Sequence, residues 1–237
     1  SEDKKEDLEG TTTEGKSETS TTEGAEEAST ETQPEETEQP EEEPVVSLTQ
    51  GEETTNYTDF TEAWDIASVT GGTLTLCQNL EVPETLEASA DITLDLNGYE
   101  LSGSIEVTAG TLYITDTSEN GEGLLSSPAG ATVTVAGGTL DVASVQITGT
   151  DAAINVYNGT VNIDKDTVVS AEGNAVNLIT PYSVDTNSMD NIEFIVSGGS
   201  ITSAEGAAIR EDFDTSESQD SEEITWYTNI SNITIKD

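Results

Sequence analysis

The sequence predicts an all-β solenoid, in which the chain winds through successive coils of parallel strands. A turn glycine followed by alternating apolar and polar residues recurs along the chain, which is typical of a strand with one buried and one wet face. The copies recur at about twenty residues, a period that indicates stacked repeats, and longer steps indicate insertions. The clearest copies are Gly72-Thr73-Leu74-Thr75-Leu76, Gly110-Thr111-Leu112-Tyr113-Ile114, Gly138-Thr139-Leu140-Asp141-Val142 and Gly159-Thr160-Val161-Asn162-Ile163.

Weaker copies of this strand begin at Asp91, Gly199 and Ser231. The step from Thr160 to Ser200 is about twice the period, so we expect one coil without a clear copy between them. The alternation then predicts one inward stack of aliphatic side chains. Parallel strands lie about 4.8 Å apart, so equivalent side chains on neighbouring strands pack against one another. The predicted stack is Leu74, Leu76, Ile92, Leu94, Leu112, Ile114, Leu140, Val142, Val161, Ile163, Ile201, Ile233 and Ile235.

A second column of strands lies at a fixed offset from the first. It aligns when Val133, Ile154, Val176 and Ile209 are superposed. The stretch from Val133 to Leu140 is as long as the stretch from Ile154 to Val161. Each coil therefore has at least two strands joined by a turn of constant length, a regularity that an immunoglobulin-like sandwich does not require.

Two flanking segments differ from the repeats. Residues 1–45 hold 17 of the 49 acidic residues and almost nothing to bury, so we expect a disordered acidic stalk that precedes one domain at 46–237. Residues 58–69 place Phe60, Ala63, Trp64 and Ala67 on one helical face, and Gly71 ends the run. This short helix is predicted to cap the first coil, whose apolar cross-section would otherwise be exposed.

Polar insertions interrupt the repeats in three places. The stretches 116–123 and 211–223 are too acidic to be buried, and we expect both to leave the coil as surface loops. The segment 181–190 is predicted to be a third loop.

Charge limits the possible partners. The formal net charge is -43, and no Lys or Arg occurs between Lys16 and Lys165, so phosphate-rich ligands would be repelled. Nucleic acid and anionic lipid surfaces are therefore excluded, which leaves cations, neutral glycans and basic proteins as possible partners. No apolar stretch is long enough to span a bilayer.

Cys77 is the single cysteine, and the chain has no His that could activate it. We therefore expect a buried inert thiol, and the scarcity of cysteine fits a secreted protein. The position of the stalk suggests attachment directly upstream of Ser1, most simply through a lipid-modified cysteine.

Three stretches carry a family resemblance: Phe60-Thr61-Glu62-Ala63-Trp64, Gly71-Gly72-Thr73-Leu74-Thr75-Leu76 and Ile92-Thr93-Leu94-Asp95-Leu96-Asn97-Gly98-Tyr99. Together they resemble the opening of right-handed parallel β-helix domains of the pectate-lyase-like superfamily, in particular noncatalytic versions on large surface proteins of gut bacteria. The resemblance covers roughly residues 57–237 as a pattern. It implies a right-handed parallel β-helix, a fold that hosts lyases, hydrolases, adhesins and spacers.

Enzymes of that superfamily use basic catalytic residues with an acidic calcium site, or clustered Asp residues with His. This chain lacks His and has only Lys165, Arg210 and Lys236 after residue 45, so we predict no catalytic residues. We also predict no cofactor and no dedicated metal site. The acidic loops, and Asp164-Lys165-Asp166, could bind calcium weakly, but none has the alternating pattern of a calcium loop.

The candidate ligand-binding residues are therefore polar and aromatic side chains on outer faces. Asn155, Asn177 and Arg210 align in the second column, where two amides and a guanidinium could bind hydroxyl groups. The alternative for these three residues is structural, with Arg210 paired to Glu211 or Asp212. Tyr113 and Tyr157 are outward aromatic candidates in different strand columns.

These observations predict a noncatalytic, extracellular protein attached to a bacterial cell surface. Its expected activity is adhesion or ligand presentation, with a glycan or a host or bacterial surface protein as partner. The first alternative is a carbohydrate-binding module, and the second is a divergent polysaccharide lyase or glycoside hydrolase.

Overall fold

The computed structural model describes residues 43–181, 192–214 and 230–235. Most of the predicted stalk, residues 215–223 of the second predicted loop, residues 182–190 of the third, Lys236 and Asp237 lie outside these residues. The elements in chain order are β1 (Val46–Gln50), β2 (Glu53–Tyr57), α1 (Phe60–Thr70), β3 (Gly72–Leu76), β4 (Leu80–Glu81), β5 (Leu86–Ala88), β6 (Ile92–Asp95), β7 (Glu100–Ser102), β8 (Ile105–Val107), β9 (Thr111–Thr115), β10 (Leu124–Ser127), β11 (Ala131–Val135), β12 (Thr139–Ala143), β13 (Gln146–Gly149), β14 (Ala152–Val156), β15 (Gly159–Ile163), β16 (Val168–Ala171), β17 (Asn174–Pro181), β18 (Ile192–Val196), β19 (Ser200–Ser203), β20 (Ile209–Asp214) and β21 (Ile230–Ile235).

The strands form three sheets, and the chain visits the sheets in a fixed order. The first sheet has nine strands in the order β2-β1-β3-β6-β9-β12-β15-β18-β21. The second sheet runs β4-β7-β10-β13-β16-β19, and the third runs β5-β8-β11-β14-β17-β20. From β3 onward, every third strand returns to the same sheet and pairs in parallel with the strand three earlier in the chain. The prediction of an all-β fold built from parallel sheets is confirmed, with a third strand per coil that the sequence did not reveal.

The interior consists of aliphatic side chains stacked in register. On the first sheet, Leu112 pairs with Leu140 and Leu140 pairs with Val161. All ten predicted inward residues from Leu74 to Ile163 are at most 1% exposed. Each such side chain contributes roughly 1.5–3 kcal/mol when fully buried, so the columns between coils are the main source of stability.

The prediction for Ile201 is wrong. Ile201 lies on β19 of the second sheet, where it pairs with Val169 and is only partly buried. The first-sheet partner of Val161 is Phe194 on β18, which is fully buried. The coil in which we expect no clear copy of the strand motif is therefore the one that contains β18. Strand β21 continues the same ladder, where Ile233 pairs with Phe194.

Glycines at the turn from the third sheet to the first allow the coils to approach closely. Gly138 has a φ of 71°, which favours glycine. A Cβ atom on Gly138 would lie 2.5 Å from the carbonyl oxygen of Gly110, the turn glycine of the preceding coil. That same oxygen accepts a hydrogen bond of 2.9 Å from the amide of Thr139. The glycines therefore stack on one another, as the aliphatic side chains do.

A hairpin and a helix precede the parallel strands of the first sheet. Strand β1 pairs antiparallel with both β2 and β3, so the edge of β3 is not free. The sequence pattern does not reveal this hairpin. Helix α1 agrees closely with the prediction: Asp59 Oδ1 accepts a 2.9 Å hydrogen bond from the amide of Thr61, and the amide of Gly71 donates to the carbonyl of Ala67 at 2.8 Å. Trp64 is 1% exposed and its Nε1 donates to the carbonyl of Glu87 at 2.9 Å.

The first predicted loop and residues 211–214 of the second fall in the described part of the chain, and their outcomes differ. Thr117 to Glu122 do lie at the surface, but Asp116 and Gly123 at the two ends are buried. Residues 211–214 are not a loop, because they continue strand β20 in register with β17. Acidic residues are tolerated there because Glu211 is exposed and the Asp212 Oδ2 lies 3.2 Å from the Arg210 Nη2.

The stacked glycines yield a stability prediction with a close internal control. Gly138 and Gly130 both have a φ of 71°, but no atom lies within 4 Å of a Cβ built on Gly130. We expect Gly130→Ala to cost about 1–2 kcal/mol from backbone strain alone. Gly138→Ala adds a backbone clash and should cost at least about 2 kcal/mol more. Urea unfolding followed by circular dichroism measures both, and equal losses would contradict the close stacking of the turns.

Candidate functional site

Alternate residues of each ladder point outward and form rows that run from coil to coil. On the first sheet, register places Thr93, Tyr113, Asp141, Asn162 and Ile195 on adjacent strands, about 4.8 Å apart. We call this set the first-sheet row. It contains an aromatic ring, a carboxylate, an amide and an aliphatic side chain in sequence along one face.

Tyr113 is exposed, as predicted, with 36% of its surface accessible. Asp141 and Asn162 beside it are held together, because the Asn162 Nδ2 donates to the Asp141 Oδ1 at 2.6 Å. Sequence reasoning did not identify this pair, since only the register of β12 against β15 brings the two side chains together. A depression of about 410 Å³ lies over the row and is lined by Tyr113, Asp141, Asn162, Asp164, Ile195 and Ser197, among others.

Tyr157 does not lie on a strand, contrary to the prediction. It is half-buried in the turn between Val156, the end of β14, and Gly159, the start of β15. Its amide donates to the carbonyl of Val135 at 2.8 Å. Tyr157 is not among the residues that line the depression, so the two predicted aromatic candidates do not form one platform.

Asn155, Asn177 and Arg210 do align on the third sheet, as predicted, in register with Thr134. The Asn177 Nδ2 donates to the Asn155 Oδ1 at 2.9 Å, and the Arg210 Nη2 lies 3.2 Å from the Asp212 Oδ2. These contacts match the structural alternative, in which the residues satisfy one another. The Asn177 Oδ1 is buried and accepts no hydrogen bond within the described part of the chain. A role in ligand binding stays a prediction for this third-sheet row, which lies on a different sheet from Tyr113.

The second sheet carries a row of hydroxyl groups that the sequence analysis missed. Ser102, Ser126, Thr148, Ser170 and Thr202 are in register on consecutive strands. In the sequence these five residues share only a small hydroxyl side chain. The short strands that hold them are unevenly spaced, so no repeat is visible. This row borders a shallow depression of about 490 Å³. The row continues to Glu81, which pairs with Ser102, and Glu172 also lines the depression. This face therefore offers hydrogen bonds and acidic groups, but no aromatic side chain lines the depression.

Asp95 and Asp116 are the two carboxylates that are buried in the described part of the chain. Asp95 Oδ1 accepts from the amides of Asn97 and Thr117, each at 3.0 Å, and its Oδ2 accepts from the Thr117 hydroxyl at 2.6 Å. Their side chains join the turn after β6 to the start of the 116–123 loop. Both carboxylates are occupied by donors of the protein itself, which is the arrangement of a structural turn.

Asp116 is the more strongly held of the two. Its Oδ1 accepts from the amides of Gly98 at 2.8 Å and Ser118 at 3.0 Å, and its Oδ2 accepts from the amide of Gly123 at 2.6 Å. Burial by itself raises the pKa of a carboxyl group. Here the hydrogen bonds, that from Gly123 first, outweigh burial and lower the pKa of Asp116 below its ordinary value of 3.8.

Among the described residues, no group of three or more His, Cys, Asp or Glu side chains is placed to hold a metal ion. In the same part of the chain, no helix is both long and apolar enough to cross a membrane. Cys77, the predicted buried thiol, is only partly buried and directly follows β3.

Comparison with known proteins gives no relative. No family model, no curated protein and no solved structure matches this chain. The likeness to pectate-lyase-like β-helices therefore stays a prediction.

Asp116 predicts how stability depends on pH. Because its pKa is lowered in the folded protein, its contribution is fully present above 3.8 and is lost as pH falls through the folded-state pKa. Asp116→Asn replaces an acceptor oxygen with a donor and should cost about 2–3 kcal/mol at neutral pH. The variant should also lose part of the acid dependence below pH 4, as measured by urea unfolding across pH.

Asp151→Asn is the matched control for this experiment. Asp151 is exposed and its Oδ2 accepts one amide hydrogen bond, from Gly130 at 3.0 Å. Its replacement should change stability by less than about 1 kcal/mol. If the two variants lost stability equally, the buried network around Asp116 would not have the role assigned to it.

Proposed function

We propose that the chain from Val46 onward is a right-handed parallel β-helix whose first coil is capped by α1 and the β1–β2 hairpin. The fixed order in which the strands visit the three sheets supports this. The hand follows from the strong right-handed preference of parallel crossovers. The stretch Leu94-Asp95-Leu96-Asn97-Gly98, central to the family resemblance, links coils: the Asn97 Nδ2 donates to the Leu76 carbonyl at 3.0 Å, and Gly98 donates to Asp116.

The function we propose is noncatalytic: adhesion or ligand presentation by an extracellular protein held at a bacterial cell surface. The observation that carries it is the set of outward rows. Each row presents polar side chains at the spacing of the strands, and the stacked interior side chains hold those strands in place. Within the first-sheet row and the third-sheet row, neighbouring side chains also hydrogen-bond to one another. Such a frame positions binding groups without any moving part, which suits recognition of an extended ligand.

Charge supports a neutral or basic partner. In the described ranges the basic residues are Lys165 and Arg210, and Arg210 is engaged by Asp212. Polyanions such as nucleic acid, or polysaccharides rich in uronate, would be repelled by the acidic surface. The acidic surface would not repel an uncharged glycan or a protein with a basic surface.

A carbohydrate-binding module is the second candidate, favoured by the exposure of Tyr113 above the Asp141–Asn162 pair. A divergent lyase or hydrolase has less support. Its most plausible buried carboxylates, Asp95 and Asp116, are held by hydrogen-bond donors of the protein itself.

Two assays on the full chain test the proposed function. Fluorescently labelled protein is titrated onto intestinal epithelial cells, mucin and bacterial cells, and we expect saturable binding to at least one of them. The same protein is incubated with neutral and acidic polysaccharides, and we expect no reducing ends and no unsaturated sugar products.

Product release would contradict a noncatalytic function and favour the enzyme. If none of the surfaces bound the protein saturably, adhesion would be contradicted and a role as a spacer would be the remaining interpretation. Heat-unfolded protein is the control for attraction that depends only on charge.

A further inference from the structure

We propose that the depression over the first-sheet row binds a short stretch of neutral polysaccharide, with Tyr113, Asp141 and Asn162 as the contact residues. This inference deepens the proposed function and rests on it. It assigns one of the three outward faces as the binding face and one chemical class as the ligand.

The Asp141–Asn162 pair supplies hydrogen bonds suited to hydroxyl groups. Its internal bond of 2.6 Å uses Asp141 Oδ1 and one hydrogen of the Asn162 Nδ2. Asp141 Oδ2 and Asn162 Oδ1 make no hydrogen bond within the described ranges. A carboxylate accepts strongly from O–H groups, and the amide both accepts and donates through its second hydrogen. The pair therefore offers two acceptors and a donor in a fixed orientation, an arrangement that adjacent sugar hydroxyls can satisfy together.

The side chains on either side of the pair supply apolar contact. Tyr113 lies one strand before Asp141, and Ile195 lies one strand after Asn162. The row from Tyr113 to Ile195 thus extends over about 14 Å at a spacing of about 4.8 Å per strand. An aromatic ring offers a flat apolar face, on which the C–H face of a sugar ring can pack. Apolar contact at the ends with hydrogen bonds between them matches a polyhydroxylated chain rather than a lipid.

The surroundings favour a neutral ligand over an anionic one. Asp164 lines the same depression and would repel a uronate beside Asp141. A basic peptide is the charged competitor, because each carboxylate keeps its charge although one of its oxygens is already engaged. Asp164 Oδ1 accepts from the amide of Lys165 at 2.7 Å, just as Asp141 Oδ1 accepts from Asn162. Lys165 itself is exposed next to Asp164.

Neutral oligosaccharides are the probes in the test, with oligogalacturonate and oligolysine as charged comparisons. Binding to an array of oligosaccharides from glucans, mannans, galactans and xylans is measured first, and dissociation constants for the best probe then come from calorimetry. We expect neutral oligosaccharides to bind and oligogalacturonate not to bind. Tyr113→Ala should weaken binding at least about tenfold, as loss of a stacking ring does elsewhere. Tyr113→Phe, which keeps the ring, should stay within about threefold.

Asp141→Ala should also weaken binding at least about tenfold, because it removes an acceptor and frees the Asn162 amide. Thr134→Ala is the matched control, since Thr134 points outward on the third sheet, away from the depression. It should bind like the unmodified protein. Thermal unfolding of each variant checks that the fold is retained, as expected for outward side chains.

Three results would overturn the inference, and each leaves a different conclusion about the proposed function. Oligosaccharide binding that survives both Tyr113→Ala and Asp141→Ala would place the glycan site on another face and leave the proposed function intact. Saturable cell binding without any oligosaccharide binding would mean that the partner is not a glycan. Binding of oligolysine alone would indicate a basic protein partner.

Discussion

The close stacking of one coil on the next is the constraint on which the rest of this structure depends. Gly110 and Gly138 bring successive turns so near that a side chain at Gly138 would meet the backbone of the coil before it. That approach lets Leu112, Leu140 and Val161 lie in one continuous column, each fully buried. Neither a single coil nor a single strand buries enough apolar surface to be stable alone, so the coils stabilise one another.

The outward rows are a consequence of the same stacking. When inward residues are held in register, the residues between them are also held in register, on the opposite face of the strand. Asp141 therefore meets Asn162, and Asn155 meets Asn177, across two coils rather than within one. A repeat that is selected for its interior thus creates polar rows on its exterior, and differences between rows decide which face can bind a ligand. The first-sheet row combines a ring, a carboxylate and an amide, whereas the second-sheet row has hydroxyl groups that follow Glu81.

The sequence predicted the features that depend on local pattern. The turn glycines and the alternation after them located β3, β9, β12 and β15, and the constant offset located the third-sheet column from Val133 to Ile209. Pattern failed where two sheets use the same motif: Gly199-Ser200-Ile201 resembles a first-sheet strand but belongs to the second sheet. It also failed where partners are distant in the chain, because the Asp141–Asn162 pair and the burial of Asp116 depend on the register between coils.

Distances between spin labels would test the stacking of coils most directly. In a Cys77→Ser background, one label is placed at Thr73 on β3 and the second at Asp141, Asn162 or Ile195, which the register places on successive strands of the first sheet. The account predicts that the measured distance increases by about 4.8 Å with each strand. Distances that stay constant or alternate, as two facing antiparallel layers would give, would contradict it.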